Sequence, residues 1–505
     1  MLLPEREITH TICYAINLFA DAAILYYISG LIKFDTVRKS ARFVVFSAYA
    51  CCLLPIMIIL GYFAVNKSLF SVDTVMTLFQ TNFSEAWDYL LSQNIWLWIG
   101  GIIGIIALIG LQIYLLTKLK TKLRRVKTLI LALALAAYAS VLLFPKLNLN
   151  YIHNLFLTTQ AELQGFSKFK QMRDAKLNSL RQLNLRAPAK GVYVLVIGES
   201  LSRDHMQLYG YSRQTTPWLS KLAQKRSTVA FTNAYANHTH TVPVLSYALS
   251  EKNQYNDLLL EETATIIDVA RAAGYKTYWL SNQLKYSVYD TPVNIIGASA
   301  DVSKWINTSV GEKLSTQFYD EKLLDFLPDN KTIDKALIVV HLMGNHNLYQ
   351  DRYPKKFDKF HGSKENVSEY DNSVLYNDWV VSQIYARVAR NPEFMAFVYF
   401  SDHGDDVENN LGHNSSLFSY PMIRIPLIVS VSYKFARQNT EEFYNLHRHR
   451  NSYWTNDLLY DLMVNLMHIK GLPSGDKFLN LLSREYYMPK EKVLLMHRAK
   501  RLTDE

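Results

Sequence analysis

Apolar residues run through this chain in two rhythms. Up to residue 145 they form long stretches, 8–32, 43–64, 95–117 and 128–145, each long enough, or nearly so, to cross a bilayer as a helix. Beyond residue 190 they fall into short blocks. Val192–Ile197, Lys276–Ser281, Ala336–Val340, 395–400 and Pro426–Ser430 read as buried strands. Helical stretches near 217–226, 263–273 and 367–390 stand between them, the second ending at Gly274. Strands alternating with helices predict an α/β fold with a mainly parallel sheet between helices.

This division gives three regions: a transmembrane helix bundle of about four spans over 1–150, with an interfacial loop at 66–94; an amphipathic, basic linker over 151–190; and a folded domain over 191–505. The first run is too long for a signal-peptide core and has no small-residue cleavage site. Phe70, Met76, Phe79 and Trp87 of the loop suggest interfacial helices. Asp21, a carboxylate inside the first span, is an intramembrane polar residue of the kind that often touches substrate or lines a polar groove.

Charge sets the orientation. Lys33, Arg38, Lys39 and Arg42 follow the first span, and Lys118, Lys120, Lys122, Arg124, Arg125 and Lys127 follow the third, whereas the loop 65–94 carries one basic residue, Lys67. Positive loops stay cytoplasmic, so the loop at 66–94 and everything after 145 are expected outside. Much of the net charge of +10 lies in these loops and in the linker residues Lys168, Lys170, Arg173, Lys176, Arg181, Arg186 and Lys190. That placement argues against nucleic acid as a partner; the linker can lie on anionic lipid heads or stand as a solvated helix. The three cysteines, Cys13, Cys51 and Cys52, all fall in predicted spans, so the external domain has no disulfide.

Candidate chemistry collects at strand ends and in the loops beyond them, where ligands of parallel α/β sheets bind. Glu199 follows the first strand, His341 and His346 the third, and Asp402, His403 and Asp405 the fourth, with His413 in the next loop. Carboxylate and imidazole together suit zinc or manganese. The segment Asn237-His-Thr-His-Thr241 precedes an apolar run that should open a helix, whose free N–H groups favour phosphate. Thr239 and Thr241 are both hydroxyl candidates there. Pro243 favours a first helical turn beginning at Thr241.

Taken in order, Gly198-Glu-Ser200, Gly210-Tyr-Ser-Arg213 with Thr216-Pro217, His341-Leu-Met-Gly-Asn-His346, Tyr370-Asp-Asn372 and Ser401-Asp-His-Gly404 resemble the alkaline phosphatase/sulfatase superfamily, and within it the membrane phosphoethanolamine transferases. The resemblance implies an inner-membrane, multi-pass, zinc-dependent enzyme with its catalytic domain in the periplasm of a Gram-negative cell. In that reading Glu199, Asp402, His403 and Thr241 hold zinc and Thr241 is the nucleophile. His346 and His413 hold the phosphoethanolamine phosphate or a second zinc; Asp405 stands where relatives often place Glu, and Lys285 near a substrate-binding lysine. Phosphatidylethanolamine is the implied donor and lipopolysaccharide the acceptor, the enzyme acting as a monomer. Relatives acting on lipid A commonly carry several disulfides and usually five spans; a disulfide-free domain and four spans favour a core heptose as acceptor, with lipid A the other choice. A hydrolase or phosphodiesterase of the same superfamily, or a glycerophosphate transferase like lipoteichoic acid synthase, is the alternative. A sulfatase would need a convertible Cys or Ser and an Arg, which Thr241-Val-Pro-Val-Leu245 lacks.

Overall fold

The computed structural model describes residues 151–285, 290–307, 318–473 and 475–504, with scattered positions before residue 151. The chain divides into two compact units, Met1–Glu162 and Leu163–Glu505. Among the described residues no helix is long and apolar enough to cross a membrane. Of the four apolar runs, 8–32 and 128–145 lie outside the described residues, as does Asp21; 43–64, 95–117 and the loop 66–94 are described only at scattered positions.

Residues 151–182 form one helix, α1 (Tyr151–Gln182), and the first strand follows as β1 (Gly191–Gly198). Phe169, Leu177 and Leu180 of α1 are buried. So is Arg173, which pairs with Asp268 at 2.9 Å and bonds the Thr263 carbonyl. This linker arginine therefore has a protein partner.

The strands and α-helices that follow, as far as residue 431, run α2 (Pro217–Leu222), β2 (Thr228–Ala230), β3 (Asn233–Tyr235), α3 (Thr241–Ala248), α4 (Ile266–Ala272), β4 (Lys276–Leu284), α5 (Pro292–Ala298), β5 (Val302–Asn307), β6 (Lys335–His341), α6 (Glu365–Val388), β7 (Phe394–Ser401) and β8 (Leu427–Val431). One sheet has the order β2-β8-β7-β1-β6-β4-β5. From β7 to β5 neighbouring strands are parallel, whereas β8 runs antiparallel to both β7 and β2. The fold is thus α/β with a mainly parallel sheet.

Strand periodicity explains the two cores. Tyr193, Leu195 and Ile197 of β1 pack with Leu245 of α3, Ile266 and Val269 of α4 and Ile296 of α5. Val192, Val194 and Val196, one step out of phase, pack on the other face with Leu219 and Leu222 of α2 and Val374, Val381 and Ile384 of α6. Asp378 of α6 accepts from the backbone N–H groups of Trp218 and Leu219 and so satisfies free donors at the start of α2.

Two sequence expectations change here. The strand expected to end at Ser281 continues to Leu284, taking in Asn282 and Gln283, because their amides find partners: Asn282 donates to Asp320 and Gln283 to the Leu342 carbonyl. His341, grouped above with the metal-capable residues, is buried edge-on against Trp279, and burial pushes its imidazole down to about 3. It is a core histidine.

Candidate active site

Register brings the first two carboxylates together. In the parallel pair β1/β7, Gly198 stands opposite Ser401, so the next residues, Glu199 and Asp402, leave the sheet side by side. Both are buried. Ser200 turns the chain sharply with φ of 56°, a left-handed conformation uncommon for a residue with a Cβ. Tyr370 of α6 holds this turn: its hydroxyl donates to the Ser200 carbonyl at 2.6 Å and accepts from Ser202 N–H at 2.8 Å. The motif residue Asp371, beside it, accepts from His205, Tyr211 and Arg213, and so binds the Gly210–Arg213 loop to α6.

Two glycines permit close approach. Gly344, in the loop after β6, has φ of +54°, and a Cβ there would meet the backbone of Glu199 at 2.8 Å. At Gly404 a Cβ would overlap the carbonyl of Pro421 and press on Ser202.

His403 follows Asp402. Its Nδ1 lies 3.1 Å from the Gly404 carbonyl, an arrangement that places the proton on Nδ1 and leaves the Nε2 lone pair available to a metal. Nε2 stands 3.3 Å from Glu199 Oε1 and 3.5 Å from Asp402 Oδ2. Asp402 Oδ1 accepts from Ser200 and His403 N–H groups, whereas Oδ2 is buried with no hydrogen-bond partner. Such an oxygen costs free energy unless something positive meets it.

Thr241 opens α3 as its first residue, after His240. Its hydroxyl lies 3.1 Å from Glu199 Oε2 and 3.4 Å from His403 Nε2. Thr241 is half-buried while the two carboxylates are fully buried, so the hydroxyl-bearing residue is the more accessible part of the cluster. Thr239, the other hydroxyl candidate, is fully buried, and its Oγ1 has no hydrogen-bond partner.

A second group adjoins the first. His413 Nδ1 donates to Asp405 Oδ1 at 2.8 Å, and the hydroxyl of Tyr349 donates to Asp405 Oδ2 at 2.7 Å. The His413 ring stands 4.6 Å from that of His403, 5.3 Å from His240 and 6.3 Å from His346. Lys285, at the end of β4, has its ammonium 5.0 Å from the Trp305 ring. Gln283, two residues earlier, is the β4 side chain that reaches Glu199, at 3.4 Å.

Electrostatics match this geometry. Burial raises the Glu199 carboxyl, and burial together with the Glu199 charge pushes Asp402 up to about 8. Burial lowers His403, which stays neutral. At Asp405 burial acts upward, but the facing His413 holds the carboxyl below its ordinary range; the same pairing overcomes burial at His413 and raises it to about 9. Burial takes His346 down to about 3.

Glu199, Asp402 and His403 offer ligand atoms within 4.8 Å of one another, and so do His403, Asp405 and His413. Two repelling carboxylates, an orphaned Asp402 oxygen and a free imidazole nitrogen form a donor set that fits a zinc-like cation. Sequence reasoning missed Gln283, Tyr349 and Tyr370; only Tyr370 lay in a motif that pointed to it.

Comparison with known proteins agrees with the fold. The sulfatase family pattern matches residues 192–463. Phosphoethanolamine transferase EptC of Escherichia coli K12 is 29% identical over 432 residues, 76% of this chain and 73% of that protein. The crystal structure of the C-terminal periplasmic domain of Escherichia coli EptC in complex with zinc aligns with 27% identity and a TM-score of 0.56, over 61% of this chain and 91% of that one. The integral membrane lipooligosaccharide phosphoethanolamine transferase A of Neisseria meningitidis shares the fold, with 20% identity and a TM-score of 0.61 over 93% of this chain and 98% of that one. The family pattern, matched across more than half the chain, makes this protein a member of the sulfatase family, with its similarity inside that family directed to phosphoethanolamine transferases.

Proposed function

We propose that the protein transfers phosphoethanolamine from phosphatidylethanolamine to a lipopolysaccharide acceptor through a phosphoethanolamine–Thr241 intermediate. The observation that carries this reading is the Thr241 hydroxyl at a helix start, 3.1 Å from Glu199 and 3.4 Å from His403. Its similarity to phosphoethanolamine transferases supplies the substrate class.

In the first half-reaction Thr241 Oγ attacks the donor phosphorus, its proton directed toward Glu199 Oε2, and the phosphorus–oxygen bond to diacylglycerol breaks. The leaving oxygen takes up a proton and diacylglycerol departs. In the second, an acceptor hydroxyl or phosphate oxygen attacks the same phosphorus, and the bond to Thr241 breaks with return of its proton. The N–H groups of Thr241 and Val242 at the start of α3 favour the phosphoryl oxygens. His413, cationic at neutral pH beside Asp405, adds positive charge on the open side with His346 near it. Zinc, held by Glu199, Asp402, His403 and Thr241, would lower the threonine pKa and neutralise phosphoryl charge; His346, His413, Asp405 and Lys285 are assigned to the phosphoethanolamine group, or in part to a second ion.

Residues 1–150 are assigned to a membrane bundle that keeps the domain beside its lipid donor, 151–190 to a linker and 191–505 to the periplasmic catalytic domain. The hydrophobic runs and basic loops support this topology, as does the fold likeness to a membrane protein over most of the chain. A core heptose is the preferred acceptor, given a domain without cysteines.

Mass spectrometry of the full-length protein after exposure to phosphatidylethanolamine vesicles tests the reading. A phosphoethanolamine adduct on Thr241 is expected. A glycerophosphate adduct from phosphatidylglycerol instead, or no adduct from either lipid, would overturn it.

A further inference from the structure

The turn after β7 that carries Asp402 and the helix that carries Thr241 are joined by a buried amide chain. Asn456, fully buried, donates from Nδ2 to the carbonyl of Asp402 at 2.6 Å. Its Oδ1 accepts from both the backbone N–H and the Nδ2 of Asn237, each at 2.8 Å. Asn237, also fully buried, gives its other Nδ2 proton to the carbonyl of Val244 in α3, at 3.3 Å. Backbone groups at the two ends fix the orientation of both amides: a carbonyl faces Asn456 Nδ2 and an N–H faces its Oδ1.

The free end of the chain is closed from far along the sequence. Asn237 Oδ1 faces Nε2 of His497 at 3.0 Å, and the N–H of His497 donates to the Asn237 carbonyl. The His497 ring stacks on Tyr247 of α3 at 3.9 Å, 7° from parallel. To reach there the chain makes three successive left-handed residues, Met496 (φ 51°), His497 (φ 50°) and Arg498 (φ 76°), between the short strands Leu494–Leu495 and Lys500–Arg501. A run of non-glycine residues in this region persists only where surroundings over-determine it. Here Arg498 bonds the Gln254 carbonyl and Asp257, and Gln254 in turn bonds Leu494 and Asp457. This hairpin lies beyond the stretch matched by the sulfatase family pattern.

We propose that Asn456 and Asn237, latched by His497, are positioning residues that set the distance between the Thr241 hydroxyl and the carboxylates of Glu199 and Asp402. The proposal rests on the reading of Thr241 as nucleophile. His497 touches neither substrate nor reacting atoms; it acts through Asn237.

The test uses the full-length enzyme with phosphatidylethanolamine vesicles, reading the rate of adduct formation, kcat and KM for the lipid, zinc content and thermal midpoint. His497→Ala should slow adduct formation and kcat by about tenfold or more, since misplacement of reacting groups by an ångström can cost on the order of a hundredfold. KM and zinc content should stay unchanged. His497→Gln, whose amide can donate to Asn237 Oδ1, should recover most of the rate. Asn456→Asp, which keeps the acceptor toward Asn237 and loses the donor toward Asp402, should show the same kcat-specific loss, and serves if His497→Ala fails to fold. Wild-type kinetics in both variants, or a loss in His497→Gln equal to that in His497→Ala, would overturn the proposal. Absence of an adduct in the wild-type protein would instead strike the reading of Thr241.

Discussion

Thr241 Oγ1 stands 3.1 Å from Glu199 Oε2, although Glu199 follows a central strand and Thr241 begins a helix packed on one face of the sheet. Removing the hydroxyl deletes the proposed nucleophile and leaves the carboxylates and imidazole beside it in place. Thr241→Ala should abolish the covalent adduct and reduce transfer by several orders of magnitude, the scale on which loss of a nucleophile is felt. Thr239→Ala, at a hydroxyl without a hydrogen-bond partner, should still form the adduct. Peptide mapping after lipid exposure checks both, and an adduct on Thr239 in the native enzyme would reverse the assignment.

Asp402→Ala deletes the carboxylate whose Oδ2 has no hydrogen-bond partner and whose Oδ1 accepts from the Ser200 and His403 N–H groups. Zinc affinity should fall by more than about 100-fold, beyond the 10–100-fold typical of losing an outer partner of a ligand. Metal content after dialysis against graded chelator measures this. Full occupancy with full activity would remove Asp402 from the metal site.

Tyr370→Phe keeps the ring and deletes the hydroxyl that joins the Ser200 carbonyl and the Ser202 N–H. Two buried backbone groups then lack a partner, a cost of about 1–3 kcal/mol each. The thermal midpoint should drop and adduct formation slow, because the strained turn at Ser200 also aims Glu199. An unchanged midpoint would mean that water or a shifted side chain replaces the hydroxyl.

Asp378 predicts a pH dependence away from the active site. Burial raises its carboxyl from 3.8 to about 7 against the pull of two backbone N–H groups. Between those values the folded chain holds a proton that the unfolded chain has released, so this group's contribution makes stability fall as pH rises from about 4 to about 7. The full effect is at most about 4 kcal/mol. Asp378→Asn should flatten that part of the slope in thermal midpoints measured across the window; parallel wild-type and variant slopes would contradict it.

If, as proposed, the basic residues at 33–42 and 118–127 hold their loops in the cytoplasm, a reporter fused at Lys190 should be active only in its exported form. Cytoplasmic reporter activity would invert the topology.

Much of the site can be read from sequence because it hangs on signals that are local. Apolar runs mark β1 and β7, so the residues after them, Glu199 and Asp402, must emerge at the sheet edge. Proline at 243 marks the helix start at Thr241. What could not be read depends on partners far away. His341 sits at a strand end like the others, but its ring packs on Trp279, and only the packing tells a core histidine from a ligand. Gln283 looked like loop because polarity hides a strand whose amides bond sideways. Asn237 meets both Asn456 and His497 across more than 200 residues, and no spacing rule joins them.

The pairing of Gly198 with Ser401 has a consequence for how such an enzyme can diverge. Strand pairing is a two-state matter: a slip of one residue in either strand would turn Glu199 or Asp402 toward the opposite face. Gradual drift of the two carboxylates is therefore barred, and change near the site is confined to segments outside the ladder, such as the loop after His403 that carries His413. Variation in acceptor preference can accumulate in those loops over an unchanging floor, so related enzymes of different specificity should differ at the rim while keeping the same paired strand ends.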